Sequence, residues 1–167
     1  MNCKFQKSKK GFTIVELLIV LSIMIIMTGV LYANQNSKKS SIAVESAGRI
    51  VAAQIRALQN ESLNGKKIGT EYANQYIFDV AANATTYSVS YKNTAGTVLD
   101  TIVSDNFATK KVKFNSTVSF YFKSPSAAVN PSANYGIVIV SDDGNSTRYV
   151  CVSTLGAVTE QSGACPA

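Results

Sequence analysis

Residues 9–20 read KKGFTIVELLIV. Two lysines and a glycine stand before an apolar run, and a single carboxylate, Glu16, lies inside it. The run continues from Phe12 to Ala33 with Glu16 as its one charge. Wound as a helix at about 1.5 Å per residue it is roughly 33 Å long, enough to cross a hydrocarbon core of about 30 Å. Ahead of it MNCKFQKSKKG carries Lys4, Lys7, Lys9 and Lys10 and no acid. The positive-inside rule therefore places the N-terminus in the cytoplasm and the rest of the chain outside. An ordinary secretory signal has its apolar stretch before the cleavage site. Here the run follows Gly11, so a cut after Gly11 removes the charges and keeps the membrane helix.

Downstream, NQNSKKSS is polar but free of proline, so a helix can continue through it. From Ile42 to Ser62, Val44, Ala47, Val51, Ile55 and Leu58 recur every three or four residues and form the stripe of an amphipathic helix. Arg49, Arg56, Gln59, Asn60 and Glu61 fall largely off that stripe. Asn64 and Gly65 supply a C-cap. The pattern predicts one long helix over about 13–63, its first half in lipid and its second half laid on a sheet. Gly29 and Gly48 are its points for bending or close packing.

Beyond residue 70 the period becomes two. TYSVSYK at 86–92 sets Tyr87, Val89 and Tyr91 against Ser88, Ser90 and Lys92, and NTAG turns the chain into TVLDTIV. KVKF leads into TVSFYFK. The segment SPSAAVNPSAN at 124–134 holds two of the three prolines and reads as a loop. GIVIVS, the turn DDGN and STRYVCVS form a hairpin, and TLG turns into AVTEQ. The fold class is α+β: a long N-terminal helix on an antiparallel meander of about six to eight strands.

The formal charge of +6 owes much to the leader. Residues 12–167 carry twelve basic and ten acidic side chains, which gives little reason to expect a polyanion. Of the three cysteines, Cys3 lies in the leader, whereas Cys151 and Cys165 fall on the outer side, where oxidation is permitted. That pair reads as a disulfide, with two buried free thiols as the alternative. The chain has no histidine, which excludes Ser-His-Asp and Cys-His constellations and most zinc sites. No enzyme activity and no cofactor are expected.

KKGFTIVELLIVLSIMIIM resembles the N-terminus of the type IV filament superfamily, the prepilins and pseudopilins. The resemblance covers about residues 9–33. It implies that a prepilin peptidase cuts between Gly11 and Phe12, that Phe12 is N-methylated, and that Glu16 becomes the fifth mature residue. It implies further that Glu16 meets the N-terminal amine of an adjacent subunit during assembly. An ionised carboxylate at membrane depth costs about 2.5–3.5 kcal/mol on insertion scales, so a cation that neutralises it rewards correct register. A protonated or snorkelling glutamate is the competing reading. The implied partners are other pilin or pseudopilin subunits, the peptidase, an inner-membrane assembly platform and the membrane itself.

GIVIVSDDGNSTRYVCVSTLGAV and RIVAAQIRALQNESLNG resemble the C-terminal strands and the second helix half of H-type minor pseudopilins and related minor pilins. DNA-binding relatives carry a paired-arginine motif near the C-terminus, where this chain has Arg148 alone. Lys110, Lys111 and Lys113, with Lys66, Lys67 and Lys123, are the candidates for weak DNA contact. A solvated strand edge is the preferred reading of that cluster. Asp142, Asp143 and Asn145 suit a tight turn better than calcium, which takes six to eight oxygens. The expected organisation is a cleaved leader at 1–11, a transmembrane assembly half at 12–33, an amphipathic half at 34–65 and a β domain at 66–167. The expected function is a minor pilin or pseudopilin of a type IV pilus or type II secretion-like filament; the alternative is a DNA-binding or adhesive minor pilin displayed on it.

Overall fold

The computed structural model describes residues 13–104 and 106–166, with backbone alone over 31–37. The expected leader, Cys3, Gly11 and Phe12 lie outside the described residues. The chain divides between Ser37 and Lys38 into two compact units. Helix α1 spans Ile14–Asn64, so its first part belongs to one unit and its second part to the other.

In the unit from Lys38 onward, the stripe read from the sequence is the buried face of α1. Val44, Ala47, Val51, Ile55 and Leu58 are 0–2% exposed, each stabilising the fold by up to about 1.5–3 kcal/mol for the larger side chains. Gly48 is buried in this face, and a Cβ there would meet Arg148 Cγ at 3.2 Å. A small residue is what lets the arginine stem cross the helix. The helix ends where a residue with φ of +72°, Gly65, donates its N–H to the Glu61 carbonyl at 2.9 Å.

The strands are β1 (Lys67–Ile68), β2 (Glu71–Tyr72), β3 (Gln75–Val80), β4 (Tyr87–Lys92), β5 (Val98–Val103), β6 (Val112–Phe114), β7 (Val118–Lys123), β8 (Val129–Asn130), β9 (Tyr135–Ser141), β10 (Thr147–Val152) and β11 (Val158–Gln161). Three of them are only two residues long. They form a β1–β2 ribbon, a five-stranded sheet in the order β5-β4-β3-β7-β8 and a four-stranded sheet in the order β11-β10-β9-β6. Every strand pairing among the described residues is antiparallel. An N-terminal helix thus packs on an antiparallel meander, as the α+β expectation has it.

The central strand of the larger sheet, β3, is not among the strands expected from the sequence. On β3, Tyr76, Phe78 and Val80 face inward while Ile77 lies on the other face, and that outward isoleucine blurs the alternation. Register places Tyr76 between Tyr91 and Phe122, Phe78 between Val89 and Phe120, and Val80 between Tyr87 and Val118. These nine side chains are all buried. They share one core with Ile137, Ile139, Val150 and Val152 of the smaller sheet and with the helix stripe.

The chain changes sheets between β6, which pairs with β9, and β7, which pairs with β3. The 124–134 segment, expected as a loop, contributes the two-residue β8. Gln59, off the apolar stripe, pins this segment: its amide donates to the carbonyls of Ala127 at 3.1 Å and Gly156 at 3.2 Å. Gly156 has φ of +84°, and a Cβ there would lie 2.2 Å from the Ala127 carbonyl oxygen.

Candidate assembly site

The described part of the first unit begins with a helix cap. Thr13 precedes α1 and its hydroxyl accepts the Glu16 N–H at 3.3 Å, while Leu17 N–H donates to the Thr13 carbonyl at 3.2 Å. Thr13 therefore caps the helix through its hydroxyl, and the Thr-x-x-Glu spacing is that of a capping box whose reciprocal bond, from the Glu16 carboxylate to the Thr13 N–H, is not made. A negative side chain in the first turn also complements the positive end of the helix dipole. Among the described residues the Glu16 carboxylate has no hydrogen-bond or ion-pair partner.

From Thr13 to Val30 every side chain is exposed. Ile14, Met24, Ile25, Ile26 and Met27 each expose more than 60% of their surface. Beyond the Thr13 cap, the two hydroxyls of this stretch turn back on the helix: Ser22 Oγ donates to the Leu18 carbonyl at 2.8 Å and Thr28 Oγ1 to the Met24 carbonyl at 2.5 Å. Neither then needs a polar partner outside the helix. A helix apolar on all sides is one that is buried in lipid or in other protein. Among the described residues no helix is long and apolar enough to cross a membrane. The span expected from Phe12 to Ala33 extends past the described side chains at both ends, and the stretch 14–30 falls short of the roughly 20 residues a crossing needs.

The other predicted sites lie in the second unit. Cys151, on β10, and Cys165 form a disulfide with Cα atoms 5.5 Å apart. Gly136, opposite Cys151 in the β9–β10 register, makes room for it, since a Cβ there would lie 3.1 Å from Cys165 Sγ. Lys110 ends a short 3-10 helix over Phe107–Lys110 and sits 5.6 Å from the Phe107 ring. Lys111 is its left-handed cap with φ of 54°, and Lys113 is on β6. β6 is an edge strand of its sheet.

Lys66 is engaged elsewhere. Its ammonium donates to Glu61 at 3.1 Å and to the Tyr91 hydroxyl at 3.0 Å, and Tyr91 in turn donates to Glu61 at 3.0 Å. Its backbone N–H donates to the Tyr76 hydroxyl at 2.7 Å. Burial pushes the Tyr91 and Tyr76 hydroxyls above their usual range. Desolvation pulls Lys66 down, but hydrogen bonds to Tyr91 and Glu61 outweigh it and leave the ammonium harder to deprotonate than usual. This network ties the end of α1 to β3 and β4.

The DDGN segment is a turn. Gly144, at φ of +71°, donates its N–H to the Ser141 carbonyl at 2.9 Å. Asp143 accepts from the Ser141 hydroxyl and from Asn145 N–H at 3.0 Å. The Ser141 hydrogen bond, helped by Asn145, holds its carboxyl below the usual range. Among the described residues no cluster of metal-ligating side chains is present.

No curated protein and no solved structure matches the chain. Residues 6–32 match the family model described as the prokaryotic N-terminal methylation motif. The match spans the capped, fully apolar helix start and its single acid, and it supports a type IV pilin- or pseudopilin-like subunit, a structural role rather than an enzymatic one.

Proposed function

We propose that the chain is a minor pilin or pseudopilin, of the H type, that a prepilin peptidase cuts after Gly11 and methylates on Phe12. In this reading 1–11 is the leader, 12–33 crosses the cytoplasmic membrane and later enters the filament, 34–65 carries the helix onto the sheets, and 66–167 is the displayed β domain. Other subunits and an inner-membrane platform receive it. The observation that carries the reading is an α1 surface exposed and predominantly apolar on every side from Ile14 to Val30, with Glu16 as its one charge. Such a surface has no use except against lipid or other helices.

The role to test is the pairing of the Glu16 charge with a neighbour's N-terminal amine. Glutamine keeps the length and polarity of the side chain but removes the charge, alanine removes all three, and the backbone N–H that bonds the Thr13 hydroxyl survives in both. In cells, Glu16→Gln and Glu16→Ala are both expected to be cut and membrane-bound, with incorporation into sheared filaments at least about tenfold below wild type, since a neighbour's N-terminal ammonium left at membrane depth without its carboxylate costs more than about 1.4 kcal/mol. Wild-type incorporation of Glu16→Gln would end the pairing role. The alternative, a DNA-binding subunit resting on Lys110, Lys111 and Lys113, predicts that the detergent-solubilised chain is retained on duplex DNA at about 0.15 M salt. The structural reading predicts no retention.

A further inference from the structure

Sheet edges are where a fold either refuses or invites another chain, and the four edges of the two main sheets are not treated alike. On β6, Phe114 donates its N–H to the Ala84 carbonyl at 2.9 Å and its carbonyl accepts from Asn83 at 2.7 Å, so the chain covers that edge itself. β8 is two residues long, is followed by Pro131, and its Val129 N–H is taken by Thr154 at 3.2 Å. On β11 the Val158 carbonyl is taken by Arg56 at 3.0 Å. β5 differs: it runs six residues, VLDTIV, with no lysine, arginine or proline. Val98, Ile102 and Val103 are each about half exposed or more, at 52%, 48% and 62%.

The ladder identifies which groups face outward. Ser104 N–H donates to the Tyr87 carbonyl at 2.9 Å, so residues 87 and 104 form a directly bonded pair. Bonded pairs alternate with unbonded ones in an antiparallel ladder, and Ser88 opposes Val103 while Ser90 opposes Thr101. The N–H groups of Thr101 and Val103 therefore point away from β4. Thr101 N–H is held by the chain's own Asp100 carboxylate at 2.8 Å.

We propose that β5 is a docking edge for an extended segment of another protein that carries a lysine or arginine opposite Asp100 and apolar residues on either side. The incoming cation draws the Asp100 carboxylate away, which frees Thr101 N–H to bond the incoming backbone. Val98, Ile102 and Val103 pack against the apolar flanks, as in strand addition to an open sheet edge. A second copy does not supply this chemistry. In a two-fold antiparallel pairing each central residue opposes itself, so pairing about Thr101 sets Asp100 against Ile102, and pairing about Asp100 sets carboxylate against carboxylate. The inference does not draw on the N-terminal helix, so its failure leaves the filament reading intact.

The test uses the full chain in detergent and two capped five-residue peptides of alternating threonine and valine, one with a central lysine and one with a central glutamate. Amide exchange at Thr101 and Val103 is followed against peptide concentration. The lysine peptide is expected to slow both amides at concentrations about tenfold lower than the glutamate peptide, the scale of exchanging an attractive cross-strand pair for a repulsive one. Asp100→Asn is expected to erase that difference, and Thr101→Pro to abolish protection by either peptide. Equal protection by the two peptides, protection by neither, or protection that depends on protein concentration without peptide would overturn the proposal.

Discussion

The two parts of α1 obey the same 3.6-residue period to opposite ends. Between 44 and 58, Val44, Ala47, Val51, Ile55 and Leu58 lie on one face and are 0–2% exposed. Between 14 and 30 they lie on every face, and all are exposed. An amphipathic helix finds its partner within its own chain, whereas a helix apolar all round must find it in lipid or in other chains. Burial by the chain's own strands marks residues that hold the fold.

Substitutions can break this comparison, and the largest expected effect comes from the buried half. Leu58→Ala removes a fully buried side chain and is expected to cost about 2–5 kcal/mol in denaturant unfolding of the detergent-solubilised chain. Leu21→Ala, on the exposed stretch, is expected to stay within about 0.5 kcal/mol while lowering filament incorporation. Equal stability losses would erase the distinction between the two halves.

Next in size is the disulfide. Its sequence separation is 14 residues, and closing a loop of that length contributes about 3 kcal/mol by limiting the unfolded chain. Cys151→Ser with Cys165→Ser, followed by chemical denaturation, is expected to show a loss of that order with the sheets intact by circular dichroism. Reduction of the wild type should reproduce it.

Smaller again is the network at the end of α1. Tyr91→Phe leaves Glu61 and Lys66 without their shared hydroxyl and is expected to cost about 1–2 kcal/mol at pH 7. The sign at high pH follows from the raised values. Tyr91 and Tyr76 stay neutral in the fold while the unfolded chain ionises near pH 10, and Lys66 keeps its proton longer in the fold. Stability should thus hold from neutrality to about pH 10 and then fall, with a shallower fall in Tyr91→Phe.

The smallest effect is at the turn. The Asp143 carboxyl is held low, so its contribution is present above the unfolded value near 3.9 and is lost as pH falls through the folded one. Asp143 is fully solvated, and salt screens what it adds. Asp143→Asn should make the acid limb of a pH–stability curve slightly flatter below about pH 4.

How much of this was legible follows from where the patterns were pure. The stripe of Val44, Ala47, Val51, Ile55 and Leu58, the alternation of Tyr87, Val89 and Tyr91, and the Gly65 cap were legible because one period dominated each. The strand Gln75–Val80 was not, because Ile77 places an apolar residue on its outer face. The division into two sheets was illegible as well, since it depends on β3 pairing with β7 and β6 with β9, contacts distant in sequence. At the candidate site, Glu16 was legible as a charge in an apolar run, whereas the cap beside it depends on the Thr13 hydroxyl reaching the Glu16 N–H, a local bond that hydrophobic periodicity does not report. Lys66 was grouped with other lysines by charge, whereas its contacts with Glu61, Tyr76 and Tyr91 are set by tertiary structure.

The central claim is that the apolar helix start is a processed assembly segment. Intact mass and N-terminal sequencing of the protein recovered from membranes and filaments, beside Gly11→Ala, test it most directly. The account predicts a wild-type chain that begins at Phe12 and carries one added methyl group, and a Gly11→Ala chain that retains residues 1–11. A wild-type chain that keeps its leader, or that begins at any other residue, would contradict it.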